Sequence, residues 1–116
     1  MQKELAAASE LLTRQLGIRP QEKAKAFRSA LEDILSQRYQ DHWHPTLHSA
    51  YRAITILPGH LDAAVVEALH ASGTPVAPVL AHLRPNFELV VWVDPGEVAY
   101  KVGGDQSAIV IVYSDR

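Results

Sequence analysis

The fold of this chain is decided by the segment LVVWVDPGEVAY, residues 89–100. Successive side chains of a β-strand point to opposite faces of a sheet, so Trp92 and Asp94 share one face and the aliphatic residues between them share the other. Pro95 and Gly96 suit the two central positions of a type II turn, which would lead into a second strand. An amphipathic indole at the border with water can anchor a partner protein. The alternative is that Trp92 packs in the core and Asp94 only opens the turn.

Composition limits the class of protein. The 116 residues, 47% hydrophobic and 21% charged, are typical of one globular domain with a single core. A net charge of −2 argues against broad attraction to nucleic acid or to membranes. The chain contains no cysteine, which excludes disulfides and thiolate metal sites. It shows no apolar run of membrane-spanning length and no signal peptide, so we expect a soluble intracellular domain.

Hydrophobic periodicity predicts an α+β fold of one domain, residues 1–116. We expect an N-terminal antiparallel helix pair packed on a small, mostly antiparallel four-stranded sheet, with two further short helices. The predicted helices cover residues 5–16, 20–35, 62–69 and 74–83, and the predicted strands cover residues 51–56, 88–93, 97–102 and 108–113. Gly17 is predicted to end the first helix. The last strand is apolar on both faces, so we expect both faces to be covered.

Three histidines, His42, His44 and His48, could bind a metal ion, since neutral imidazoles coordinate zinc and copper. A zinc site needs three or four converging ligands, and apart from Asp41 no nearby acidic residue or cysteine completes such a set. A metal-binding domain is therefore an alternative to the interpretation favoured below, in which these histidines lie at the surface or cap an element.

The carboxylates of Asp94 and Glu97 could act as a general acid and a general base. However, they flank a turn without a recognisable nucleophile or oxyanion donor. No nucleophile elbow, phosphate-binding loop or dinucleotide-binding pattern is present, so the sequence does not predict an enzyme. The basic residues of the second helix, Lys23, Lys25, Arg28 and Arg38, alternate with acidic ones as on a solvated face, and this pattern does not predict direct RNA binding.

Two sequence boxes carry a family resemblance. The first is His42-Trp43-His44-Pro45 followed by Tyr51-Arg52-Ala53-Ile54, and the second is the segment 89–100. Together they resemble the BTG/Tob (antiproliferative) family, whose boxes read H-W-aromatic-P with aromatic-R-x-I, and L-x-x-W-V/I-D-P-aromatic-E-V-x-Y. The matching residues are His42, Trp43, Pro45, Tyr51, Arg52, Ile54, Leu89, Trp92, Val93, Asp94, Pro95, Glu97, Val98 and Tyr100. The two N-terminal helices also resemble those of the family.

The resemblance implies a non-enzymatic adaptor without a cofactor. Its expected partner is the Caf-type catalytic subunit of the cytoplasmic deadenylase complex, through which it would promote mRNA deadenylation and restrain cell proliferation. We expect a monomer that acts in the cytoplasm, with the nucleus as a second location. The partner-binding residues that the resemblance implies are Trp92, Asp94, Tyr51, Pro95 and Glu97.

The remaining first-box residues, His42, Trp43 and Pro45, are expected at the border between helices and sheet. There the indole of Trp43 would hold the helix pair against the strands.

Three departures from the family pattern leave a further interpretation open, a divergent interaction module with a different partner. His44 replaces an aromatic residue, and Gly96 replaces the aromatic residue that usually follows D-P. The segment 46–50 is shorter than the usual Lys/Gly-rich loop, so contacts made by those lysines would be absent.

Overall fold

A computed structural model describes residues 1–44, 50–104 and 107–115 of the chain. Its helices are α1 (Gln2–Gln15), α2 (Gln21–Tyr39), α3 (Ala63–Ala71) and α4 (Val76–His82), and Ala50–Arg52 form one turn of 3₁₀ helix. Its strands are β1 (Ala53–Leu57), β2 (His60–Leu61), β3 (Leu89–Asp94), β4 (Glu97–Val102) and β5 (Val110–Ser114).

The strands form one sheet in the order β2-β1-β3-β4-β5, and each neighbouring pair is antiparallel. This architecture confirms the predicted α+β class. The sheet has one strand more than the four predicted, because the chain turns back at Pro58-Gly59 and pairs Ile56 with Leu61. β2 has only two residues, too few for alternation to reveal it in the sequence.

One hydrophobic core lies between the helices and the inner face of the sheet. α1 packs against α2 and against β3 and β4, while α2 also packs against α3. The largest apolar side chains that are fully buried there are Phe27, Tyr39, Leu11, Leu12, Leu16, Leu31, Leu35, Ile54, Ile56, Leu69 and Leu89. The helical spacing of these leucines explains why α1 and α2 form a pair and cover the strands.

The end of α1 shows how the sequence sets an element boundary. Gly17 has φ +63°, its N–H donates to the carbonyl of Arg14, and the N–H of Ile18 donates to the carbonyl of Thr13. This is a Schellman motif, in which a left-handed residue satisfies the last carbonyls of a helix. The prediction that Gly17 ends the first helix is confirmed.

Two predictions about strands were wrong. Tyr51 and Arg52 lie in the 3₁₀ turn before β1, where the Arg52 carbonyl accepts a hydrogen bond from the side-chain hydroxyl of Tyr39. β5 is not covered on both faces: in the described part of the chain it pairs only with β4, and Ile109, Val110 and Ile111 are exposed. Apolar residues on both faces of a segment do not indicate whether neighbouring elements exist to cover them.

The described helices include none that is long and apolar enough to cross a membrane. On α2, Arg38 forms a surface ion pair with Glu67 of α3, Nη2 to Oε2 2.9 Å, and the ammonium group of Lys23 donates to the carbonyl of Ser72 at 3.3 Å. These contacts join α2 to α3 and its C-terminal end.

Candidate functional site

Trp92 lies in the middle of the sheet, on the face turned away from the core. Its strand β3 has β1 on one side and β4 on the other. Leu89, Val91 and Val93 are fully buried on the inner face, whereas Trp92 and Asp94 are partly exposed. The predicted alternation along β3 is therefore confirmed, and the indole is a surface group with its base in the sheet.

Small residues flank the indole on both neighbouring strands. Ala53 of β1 and Ala99 of β4 lie directly opposite Trp92, and Ile111 of β5 lies opposite Ala99. A methyl side chain is too short to cover the face of an indole, so the ring remains accessible from above. We call these four residues, Ala53, Trp92, Ala99 and Ile111, the outer-face patch.

Arg52 connects the two sequence boxes from inside the domain. Its side chain is 1% exposed. Nε donates to the carbonyl of Val93 at 2.8 Å, Nη1 donates to the carbonyl of His42, and Nη2 contacts the Asp94 carboxylate at 3.1 Å. A buried cation is stable only when its donors are paired, and here two carbonyls and a carboxylate are among the acceptors of the planar guanidinium.

Asp94 has an internal contact that the sequence analysis did not predict. Its side chain is 15% exposed, and its Oδ1 accepts the hydrogen bond from Arg52. The carboxylate therefore neutralises the buried guanidinium and fixes the end of β3 against the start of β1. This is a positioning role within the domain beside the partner contact that the resemblance implies.

The turn after β3 has the predicted geometry. Asp94 and Glu97 are paired in register, which leaves Pro95 and Gly96 as a two-residue loop, and Gly96 has φ +83°. Proline at the first central position and a left-handed glycine at the second define a type II turn. The Gly96 N–H donates to Oε2 of Glu4 at 2.9 Å, so α1 holds the turn from below.

Glu4 is a buried carboxylate that balances opposing effects. Burial raises its pKa. Hydrogen bonds from the backbone N–H groups of Gly96 and of Glu4 itself lower the pKa, and so does the nearby N-terminal ammonium. The net pKa lies below the usual value. The carboxylate is thus held ionised beneath the turn.

The segment after β5 also contacts the turn. The N–H of Asp115 donates to the Gly96 carbonyl at 3.0 Å. A Cβ atom added at Gly96 would lie 2.8 Å from Oδ1 of Asp115. Where the family pattern has an aromatic side chain, this chain therefore places a carboxylate.

An aromatic cluster surrounds the start of β1. The ring of exposed Tyr51 stacks on His42 with centroids 4.1 Å apart and meets Tyr39 edge-on at 6.3 Å. Tyr39 is buried, its hydroxyl donates to the Arg52 carbonyl, and burial raises its pKa. Trp43 is half-buried, stacks with Tyr39 at 6.4 Å, and has the Arg52 guanidinium carbon 5.5 Å from its ring centre.

The structure brings most of the predicted site residues to one end of the sheet. Tyr51 lies two residues before Ala53, which pairs with Trp92, and the partly exposed Pro95 and Glu97 lie at the adjoining turn. Pro45 and His48 lie outside the described residues. Within residues 1–44, 50–104 and 107–115, no three histidine or acidic side chains are grouped so that they could hold a metal ion.

The cavity next to Tyr51 is smaller than the sites that drug-sized ligands occupy. This cavity, lined by residues such as Tyr39, Tyr51 and Asp62, has a volume of about 90 Å³. Drug-sized ligands occupy about 300–1,000 Å³. Two larger clefts, of about 380 Å³ and 450 Å³, share His82 in their walls, and neither is lined by the outer-face patch.

Comparison with known proteins gives a consistent result. A sequence model of the BTG family matches residues 1–113. The chain is 36% identical to rat protein BTG2 over 114 residues, covering 93% of this chain and 70% of that protein. It is 36% identical to human protein Tob2 over 100 residues, covering 83% of this chain and 28% of that protein.

A solved structure of the C. elegans FOG-3 BTG/Tob domain, in a doubly substituted form, has the same fold. It superposes with a TM-score of 0.78 at 18% identity, covering 98% of this chain and 82% of that one.

Proposed function

This chain belongs to the BTG family, and we propose that it is a non-enzymatic adaptor for the Caf-type catalytic subunit of the cytoplasmic deadenylase complex. By recruiting that subunit to transcripts it promotes shortening of poly(A) tails and restrains proliferation. It acts as a monomer in the cytoplasm, with the nucleus as a second location.

The observation that carries the proposal is the placement of Trp92. A partly exposed indole in the centre of a sheet face, with alanines on both neighbouring strands, is the kind of rigid aromatic anchor that dominates protein interfaces. In the complex the ring fills an apolar groove of the subunit. Its backbone position is fixed by strand pairing on both sides, so little conformational entropy is lost on binding.

Tyr51 extends this surface at the start of β1. Its side chain is 53% exposed although its ring stacks on His42 at 4.1 Å. Stacking limits the motion of the ring and holds it at the surface. Pro95 and Glu97 lie at the turn, on the rim of this surface, where Glu97 supplies the polar group.

The Arg52–Asp94 ion pair supports the surface from within. It fixes Asp94 two residues from Trp92 and places Arg52 between Tyr51 and Ala53. Asp94 thereby contributes to binding by holding the end of β3 in place, and its charge is balanced inside the domain.

Calorimetric titration with the purified Caf-type subunit tests the proposal. The wild-type domain binds, Trp92→Ala loses about 2 kcal/mol or more of binding free energy, and Tyr51→Ala loses less. Val102→Ala is the matched control, because Val102 is an exposed apolar residue in register with buried Leu89 and thus on the other face. Circular dichroism verifies that each variant is folded.

Loss of binding in Trp92→Ala and not in Val102→Ala supports the adaptor function. A folded wild-type domain that does not bind the subunit refutes it. Equal affinity of the wild-type and Trp92→Ala domains places the contact elsewhere.

One observation favours a second candidate, an interaction module with a different partner. The carboxylate of Asp115 lies beside Gly96, where the family pattern has an aromatic side chain. The turn next to Trp92 therefore presents charge in place of apolar area. Failure of the titration together with an intact fold would favour this candidate.

A further inference from the structure

The outer-face patch continues beyond Trp92 onto the edge strand. Ala99 belongs to this face, yet it is only 5% exposed. The two residues directly opposite it are Trp92 on β3 and Ile111 on β5. The β4–β5 register shifts between Val98 and Ala99, and Ile111 lies just past that irregularity. Paired side chains on one face are neighbours, so Trp92 and Ile111 are the larger side chains next to the alanine. The result is one continuous apolar surface across three strands.

Ile111 is unusually exposed for a residue of its kind in a strand. Its side chain is 57% exposed, and removing a β-branched aliphatic side chain from water is favourable. Val110, its neighbour in the chain, pairs with Tyr100 and therefore belongs to the opposite face. β5 is thus exposed on both faces, but only Ile111 shares the face of Trp92.

The size of protein interfaces makes Ile111 part of any contact centred on Trp92. One aromatic side chain buries about 150–250 Å², whereas a standard interface buries about 800 Å² on each partner. A round patch of that area has a radius of about 16 Å. Two strand spacings separate Trp92 from Ile111, a distance of about 10 Å. A partner seated on the indole therefore reaches Ile111.

We propose that Ile111 is a direct contact residue for the Caf-type subunit, extending the interface across Ala99 onto β5. This inference rests on the proposed function and adds a residue outside both sequence boxes. At the turn beside Trp92 this chain has Gly96 with the Asp115 carboxylate against it. Ile111 supplies apolar area on β5, across Ala99 from the indole.

The test compares Ile111→Ala with Val110→Ala in the same calorimetric titration. Both residues are exposed on β5, at 57% and 43%, but only Ile111 lies on the face of Trp92. We expect Ile111→Ala to weaken binding about tenfold. We expect Val110→Ala to bind as the wild type does. A double variant with Trp92→Ala measures the coupling, which should be non-additive because the two side chains share Ala99.

The outcomes separate this inference from the proposed function. If the wild type binds, Trp92→Ala weakens binding and Ile111→Ala binds normally, the adaptor function stands and the role of Ile111 is wrong. If the wild type does not bind, both fail. If sedimentation shows that the wild type self-associates and Ile111→Ala does not, while subunit binding is unchanged, the exposed strand serves a second copy of the domain instead.

Discussion

The guanidinium of Arg52 and the carboxylate of Asp94 form an ion pair, Nη2 to Oδ1 3.1 Å, that joins the start of β1 to the end of β3. The arginine side chain is 1% exposed and the aspartate 15%. The two residues are far apart in the sequence and come from different boxes. Their contact makes the boxes one structural unit, with Tyr51 at one side and Trp92 at the other.

Replacing Arg52 with methionine should destabilise the fold by about 3–5 kcal/mol, because the carboxylate and two carbonyls lose their common donor. Urea unfolding measures the change. Arg38→Met is the control, since its pair with Glu67 lies at the surface, where such pairs contribute about 0–1 kcal/mol. Equal loss of stability in both variants would contradict the role given to Arg52.

Gly96→Ala should destabilise the domain more than Gly59→Ala does. Both glycines have positive φ, +83° and +69°, which costs a residue with a Cβ about 1–2 kcal/mol. Only at Gly96 would the new Cβ meet another group, the Asp115 carboxylate at 2.8 Å, whereas no atom lies within 4 Å at Gly59. Thermal unfolding of the two variants gives the difference. Adding Asp115→Ala should recover part of the Gly96→Ala loss, and an unchanged melting temperature would refute the clash.

Glu4 should make the domain sensitive to acid. Its folded-state pKa lies below the ordinary value of 4.5, so between the two the unfolded chain binds the proton more readily. The stabilisation is fully present above that ordinary value and is lost as the pH falls through the folded-state pKa. Urea unfolding across this interval should show a steeper loss in the wild type than in Glu4→Gln. Identical pH profiles would mean that Glu4 does not contribute.

Trp43→Ala should lower stability by about 2–4 kcal/mol, less than for a fully buried tryptophan because the ring is half-buried. The variant loses the stack on Tyr39 and the contact with the Arg52 cation, 5.5 Å from the ring centre. Trp92→Ala should cost less, since its ring lies on the outer face. Denaturant unfolding of both variants checks the order, and the reverse order would exchange the structural and binding roles of the two indoles.

Local patterns predicted the parts of the fold that depend on local physics. Alternation placed Trp92 and Asp94 on one face of β3, and the Pro95-Gly96 pair predicted the type II turn. Gly17 marked the end of α1 because only the left-handed conformation completes that cap. In each case the deciding interaction involves residues within one strand, turn or helix end.

The features that the sequence did not predict depend on distant neighbours. Nothing near Arg52 indicates that its side chain is buried, because its acceptors lie in other segments at His42, Val93 and Asp94. The contact of Glu4 with the turn likewise joins the first helix to β3 and β4. The apolar pattern of β5 predicted burial, but its exposure follows from its place at the edge of the described sheet.

The central claim is that the outer face around Trp92 binds the Caf-type subunit. Its most direct test follows the two indole N–H signals in a nitrogen–proton NMR spectrum. The chain has only two tryptophans, and a Trp92→Phe variant assigns the signals. On titration with the unlabelled subunit, we predict that the Trp92 signal shifts or broadens most strongly, while that of Trp43, packed on Tyr39, changes little. Two results would contradict the claim that this face binds the subunit. In the first, the Trp92 signal stays unchanged while the subunit alters other resonances; in the second, no resonance in the spectrum changes.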